Sequence, residues 1–294
     1  MITRRNLVAA AAGAFAVTAL SACSSGASAS SGSNEASSEV SSEVSSSAAP
    51  SAAATSEASS SAAPSSVARD PMDLYVFNQH VVDSPEWVTA LPAAQDKNTT
   101  QLFVVAGMGM DKTTASISMH ERDANGAWKQ VLTTPGFVGK DGMCKDEDHK
   151  EGDFYQTPIG TYHFNKAFGI ADDPGCTGFD YVKVDDDIYW SGDDRPGMHY
   201  NEMVNIKDLP DLNMDNSEHI IEEEDCYQYC LNISFNEDAV PGKGSAIFLH
   251  CFGPTDPNTG GCVAVPEYTM VQVLQRVQPD CVVVIDTLEN MKGN

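Results

Sequence analysis

The sequence predicts a mainly β domain with one or two short helices, and three observations carry that reading. Short apolar or alternating segments recur between turn residues. A hairpin signal, Asn125-Gly126, separates two of them. Only Glu267–Val277 has helical spacing, with Met270, Val271, Leu274 and Val277 on one face. The expected strands are Gln101–Met108, Ala115–Glu121, Trp128–Thr133, Gly160–Phe164, Tyr181–Val184, Tyr227–Phe235, Ala246–Phe252 and Cys281–Asp286. Pro266 is a good opener for the helix that follows it.

The chain has 294 residues, with 17 Lys+Arg against 42 Asp+Glu and a net charge of −25. That balance argues against nucleic acid, which needs a basic face. Residues 1–69 hold three arginines and four glutamates, so all but one of the net charges fall on the remainder. The runs Asp185–Asp187 and Glu222–Asp225 lack the spaced pattern of a calcium loop and read as solvated acidic loops.

The N-terminus reads as an export signal over residues 1–23. Arg4 and Arg5 precede an apolar run from Leu7 to Leu20 that is too short and small for a membrane span. It ends in Leu20-Ser21-Ala22-Cys23, which resembles a bacterial lipobox. The resemblance implies lipidation of Cys23 and a membrane-anchored lipoprotein facing the cell wall. The arginine pair leaves general and twin-arginine export open. Residues 24–69 are dominated by serine and alanine and cannot bury enough apolar surface to order themselves. They read as a tether with a mean reach of about 35–40 Å. Residues 70–100 then read as an N-terminal extension, and 101–294 as one catalytic-type domain.

Chemistry concentrates in Pro241–Pro266. The strand Ala246–Leu249 delivers His250, and the chain returns through Thr259-Gly260-Gly261-Cys262. A cysteine nucleophile needs a base beside it and backbone N–H groups around the developing oxyanion, which glycines permit. Taken alone, the pattern leaves disulfide bonding of the cysteines and a structural histidine open.

This segment resembles the catalytic motif of the L,D-transpeptidases (YkuD-type domain), a histidine followed at a distance by Ser/Thr-His-Gly-Cys. His250, Thr259, Gly261 and Cys262 match it. Thr157-Pro158-Ile159-Gly160-Thr161-Tyr162 resembles a second family turn, and Tyr200-Asn201 a pair found in one bacterial branch. Two positions depart: Gly260 replaces the motif's second histidine, and Ala264 replaces the usual Arg or Asn. The resemblance covers about residues 100–288.

It implies an L,D-transpeptidase-type β-sandwich of mixed sheets. Cys262 would be the nucleophile and His250 its base, the Gly261 and Cys262 N–H groups would hold the oxyanion, and the Gly260 carbonyl would orient His250. Tyr200, Asn201 and Thr259 would line the substrate cleft. The implied substrate is a peptidoglycan stem peptide, with no metal and no cofactor. Rival readings are a hydrolase using the same pair and a non-catalytic wall-binding module. A zinc site from His250, Cys251 and Cys262 lacks the usual paired-cysteine spacing. We expect a monomer. We also expect His163 to pack on its strand, while His199 reads equally as a cleft residue and as an ordinary polar loop residue.

Six cysteines remain. A hairpin placing Ser234 opposite Ile247 would bring Cys230 to Cys251, with Cys251 on the face opposite His250. The expected disulfides are Cys230–Cys251 and Cys144–Cys176.

Overall fold

The computed structural model describes residues 80–150, 155–253 and 257–293. The export signal, Cys23, the tether and the first part of the proposed extension lie outside the described residues.

In chain order the elements begin with β1 (Val82–Asp83), α1 (Glu86–Thr89), α2 (Pro92–Gln95), β2 (Gln101–Gly107), β3 (Thr114–Arg122) and β4 (Trp128–Phe137). Then come β5 (Met143–Lys145), β6 (Thr157–Gly169), β7 (Tyr181–Lys183), β8 (Ile188–Trp190), β9 (Met203–Asn205) and β10 (Glu218–His219). The last group is β11 (Cys230–Ile233), β12 (Phe248–Cys251), β13 (Val263–Val265), α3 (Glu267–Leu274), β14 (Val282–Thr287) and α4 (Leu288–Met291).

The main sheet runs β4-β13-β12-β11-β6-β14-β2-β3, and β3 pairs with β4, so the path closes on itself. The seam between β13 and β4 is the single pair Ala264↔Phe137. The architecture is therefore mostly β, with short helices and mixed pairing: β12–β13 and β14–β2 are parallel, and β11–β12 and β2–β3 antiparallel.

Packing on both sides explains the sequence of β2. Phe103 and Val105 enter the main core with Phe164, Leu231, Leu249 and Val263. Leu102, Val104 and Ala106 face outward and are covered by Val88 and Ala94 of the first two helices and Leu91 between them. A strand buried on both faces reads as a continuous apolar run. The β3–β4 hairpin turns where expected. Asp123 Oδ1 accepts the N–H groups of Asn125 and Ala127, and Gly126 takes φ 82°.

Four expectations are corrected. β6 extends to Gly169, since β11, β14 and β7 all pair along it. The β11–β12 register is shifted by one residue: Cys230 pairs with His250, and Ile233 N donates to Ile247 O at 3.0 Å. A one-residue shift moves every side chain to the other face. Cys230 therefore lies with Cys262, while Cys251 points into the main core. Neither expected disulfide forms, and all seven described cysteines are free thiols. Cys144 sits beside Pro158 at the start of β6, whereas Cys176 lies beyond the strand's far end, before Thr177, which bonds Leu274 of α3.

The sequence reading also missed a small sheet, β10-β8-β9, within the acidic stretch. Its Trp190 stacks on Phe168 and meets Phe248 edge-on, forming an aromatic cluster on the outer face of β12.

Candidate active site

Parallel pairing of β12 and β13 brings the two motif residues together. Leu249 pairs with Val263 and His250 with Ala264, so Cys262, one residue before β13, stands beside Phe248. The Phe248 N–H donates to Cys262 Sγ at 3.3 Å, and Sγ donates to Ala246 O at 3.2 Å. Among the described residues, no hydrogen bond links Sγ to His250.

His250 is oriented by its own chain. Its Nδ1 donates to Cys251 O at 2.6 Å, which leaves Nε2 as the acceptor nitrogen. This replaces the expected Gly260 carbonyl. The Tyr227 ring meets the imidazole edge-on, with centroids 5.2 Å apart.

Both groups are buried and neutral at rest. Burial pulls His250 down to about 4, against the opposing pull of the Cys251 carbonyl. Burial first, then the Glu218 carboxylate, push the Cys262 thiol up. The resting pair is thus thiol and imidazole. Desolvation disfavours each charged form.

The Gly260-Gly261-Cys262 loop is pinned by two threonines. Thr259 Oγ1 donates to Cys262 O at 2.7 Å and accepts the Gly261 N–H at 3.3 Å. Thr157, the first residue of the family-like turn, donates to Gly261 O at 2.7 Å and accepts the Gly139 N–H at 2.8 Å. Gly261 takes φ 135°, and a Cβ there would stand 2.9 Å from Gln156 O. Only glycine fits that turn without strain. At Gly260 a Cβ would meet only the Tyr155 ring, at 3.7 Å. Lys140 Nζ lies 3.3 Å from the centroid of that ring.

The residues expected to line the cleft have internal work. Asn201 uses both ends of its amide. Its Oδ1 accepts from Trp190 Nε1 and from Ala246 N, each at 3.0 Å. Its Nδ2 donates to Phe235 O and Asn236 O, also at 3.0 Å each. Asn201 and Ala246 both have positive φ, 59° and 57°. The clamp holds Ala246 where its carbonyl meets Cys262 Sγ. Tyr200 is buried beside it. His199 is exposed and pairs with Glu202 at 3.1 Å. His163, expected to pack, is half-exposed and contacts Glu237 at 3.2 Å and Ser234 Oγ.

Sequence reading missed Ala246, Phe248, Tyr227 and Glu218 at the site. The first two contact sulfur through backbone atoms, which leave no mark on residue type. Glu218 lies in the unforeseen small sheet.

No curated protein matches the chain. Two solved structures are similar in part. Both are crystal structures of the helical cell shape determining protein Pgp2 from Campylobacter jejuni. The first is 16% identical with TM-score 0.35, covering 74% of this chain and 56% of that one. The second, a K307A mutant, is 18% identical with TM-score 0.34, covering 69% and 54%. This chain thus spans little more than half the length of the proteins it matches. The profile of the YkuD L,D-transpeptidase catalytic domain matches residues 114–285, more than half of the chain and the whole of the His250–Cys262 segment. The chain belongs to the L,D-transpeptidase catalytic domain family, whose function is peptidoglycan-related.

Proposed function

We propose that this protein is an exported cysteine acyltransferase that cross-links or remodels peptidoglycan through a thioester on Cys262. The observation that carries the reading is the placement of His250 on β12 and of Cys262 just before β13, its parallel partner, within the family segment. A loop fixed by Thr157 and Thr259 supports it.

In this reading a stem peptide enters and His250 Nε2 takes the thiol proton. The thiolate attacks the carbonyl between the third stem residue and a terminal D-alanine. Backbone N–H groups around Gly261 and Cys262 stabilise the oxyanion, and the amine leaves with the proton from His250. An amine of a second stem then takes the acyl group, giving a cross-link. Water in its place gives a trimmed stem. Cys23 anchors the chain to the membrane, and the serine-rich tether lets the domain reach the wall above it.

The test is mass spectrometry of muropeptides incubated with the full chain. Cross-linked dimers that vanish with Cys262→Ala are expected. Trimmed monomers alone would replace the transferase with a carboxypeptidase. Unchanged muropeptides, with wall binding that survives Cys262→Ala, would leave only a binding module.

A further inference from the structure

Two backbone groups hold the sulfur of Cys262, and they favour opposite states of it. The Phe248 N–H donates to Sγ at 3.3 Å. A donor of that kind stabilises a thiolate. The Ala246 carbonyl accepts the Sγ proton at 3.2 Å. An acceptor of that kind stabilises the thiol and repels the anion. Cys262 and His250 are only 6% and 5% exposed, so these protein groups, not bulk water, set the state of the sulfur.

The contact with Ala246 depends on a strained backbone. Ala246 takes φ 57°, a left-handed conformation that alanine adopts only where its surroundings impose it. Asn201 imposes it, because its Oδ1 accepts the Ala246 N–H at 3.0 Å. The same oxygen accepts from Trp190 Nε1, and Nδ2 donates to the carbonyls of Phe235 and Asn236. Those contacts fix the amide in place. Ile247 then leads into β12, which begins at Phe248. Without the Asn201 oxygen, Ala246 would relax to the extended backbone of the strand it precedes and re-aim its carbonyl.

We propose that Asn201 is a positioning residue that latches Cys262 as a thiol, by holding the Ala246 carbonyl on the sulfur proton. Release is a change of partner. The S–H bond breaks as an N–H bond forms at His250 Nε2, the nitrogen left free by the Nδ1 bond to Cys251 O. The electron pair stays on sulfur, and the Phe248 N–H remains to hold the thiolate. The latch keeps the sulfur inert until a bound stem peptide separates it from the carbonyl. The inference rests on the reading of Cys262 as the nucleophile.

The test has two arms, both on the full chain. In the first, the infrared spectrum of the wild type minus that of Cys262→Ala isolates the Cys262 S–H stretch. The latch predicts a band at the lowered frequency of a hydrogen-bonded thiol. No band, as for a thiolate, or a band at the frequency of an unbonded thiol would overturn it. This arm decides even if an Asn201 variant fails to fold.

The second arm measures alkylation of Cys262 by iodoacetamide at neutral pH, read on the Cys262 peptide by mass spectrometry. Asn201→Ala should raise the rate about tenfold, the effect of one lost hydrogen bond from the thiol. Asn236→Ala is the control for mere loosening. Asn236 bonds Val240 O and Gly244 O in the loop before Ala246, and its loss leaves the Ala246 N–H with its acceptor. Its rate should stay within about twofold of wild type. An Asn201→Ala rate at or below wild type, or equal acceleration by both variants, would overturn the latch. Neither arm uses a wall substrate, so the muropeptide assay reports separately on whether Cys262 is the nucleophile.

Discussion

Two halves of the molecule are held in different ways. The β2–β3–β4 meander with β14 is a ladder: seven register pairs join β2 to β3 and six join β14 to β2, over an apolar core. The half that carries the site has β8, β9 and β13 of three residues each, joined by long loops. Single side chains fix those loops. Asn201 clamps Ala246, Thr157 holds Gly261, and Asn236 bonds Val240 and Gly244. A ladder spreads its stabilisation over many backbone bonds. A clamp concentrates it in one residue, whose loss leaves several buried groups unpaired.

The largest expected effect is therefore Asn201→Ala. It removes four hydrogen bonds from the site half and should cost about 4 kcal/mol in chemical denaturation. A loss under about 1 kcal/mol would show that the loops hold themselves. A smaller effect separates two glycines, both at positive φ. Gly261→Ala adds a steric clash with Gln156 O to backbone strain, for about 3 kcal/mol. Gly126→Ala, in the hairpin of the ladder half, meets nothing within 4 Å, and backbone strain alone should cost about 1 kcal/mol. Equal losses at the two sites would erase the contrast.

The same division governs what could be read from sequence. The ladder half was legible because its strands alternate or run continuously apolar and its hairpin carries Asn125-Gly126. The chemical pair was legible because His250 and Cys262 are residue types with a known spacing. The register of β11 on β12 was not, because Asn201, about 45 residues upstream of Ala246, decides where that strand begins. Ala246 looks like a strand residue, yet its clamp gives it φ 57° and delays β12 to Phe248. The small sheet was hidden by its charges. Strands of two or three residues have no periodicity to detect, and Trp190 is the most deeply buried apolar anchor among them.

The central claim is that Cys262 is an acylating nucleophile, and the most direct measurement is the intact mass of the full chain after incubation with a carbapenem. The account predicts a single covalent adduct that maps to the Cys262 peptide and is absent from Cys262→Ala. An unchanged mass, or an adduct that persists in Cys262→Ala, would contradict it.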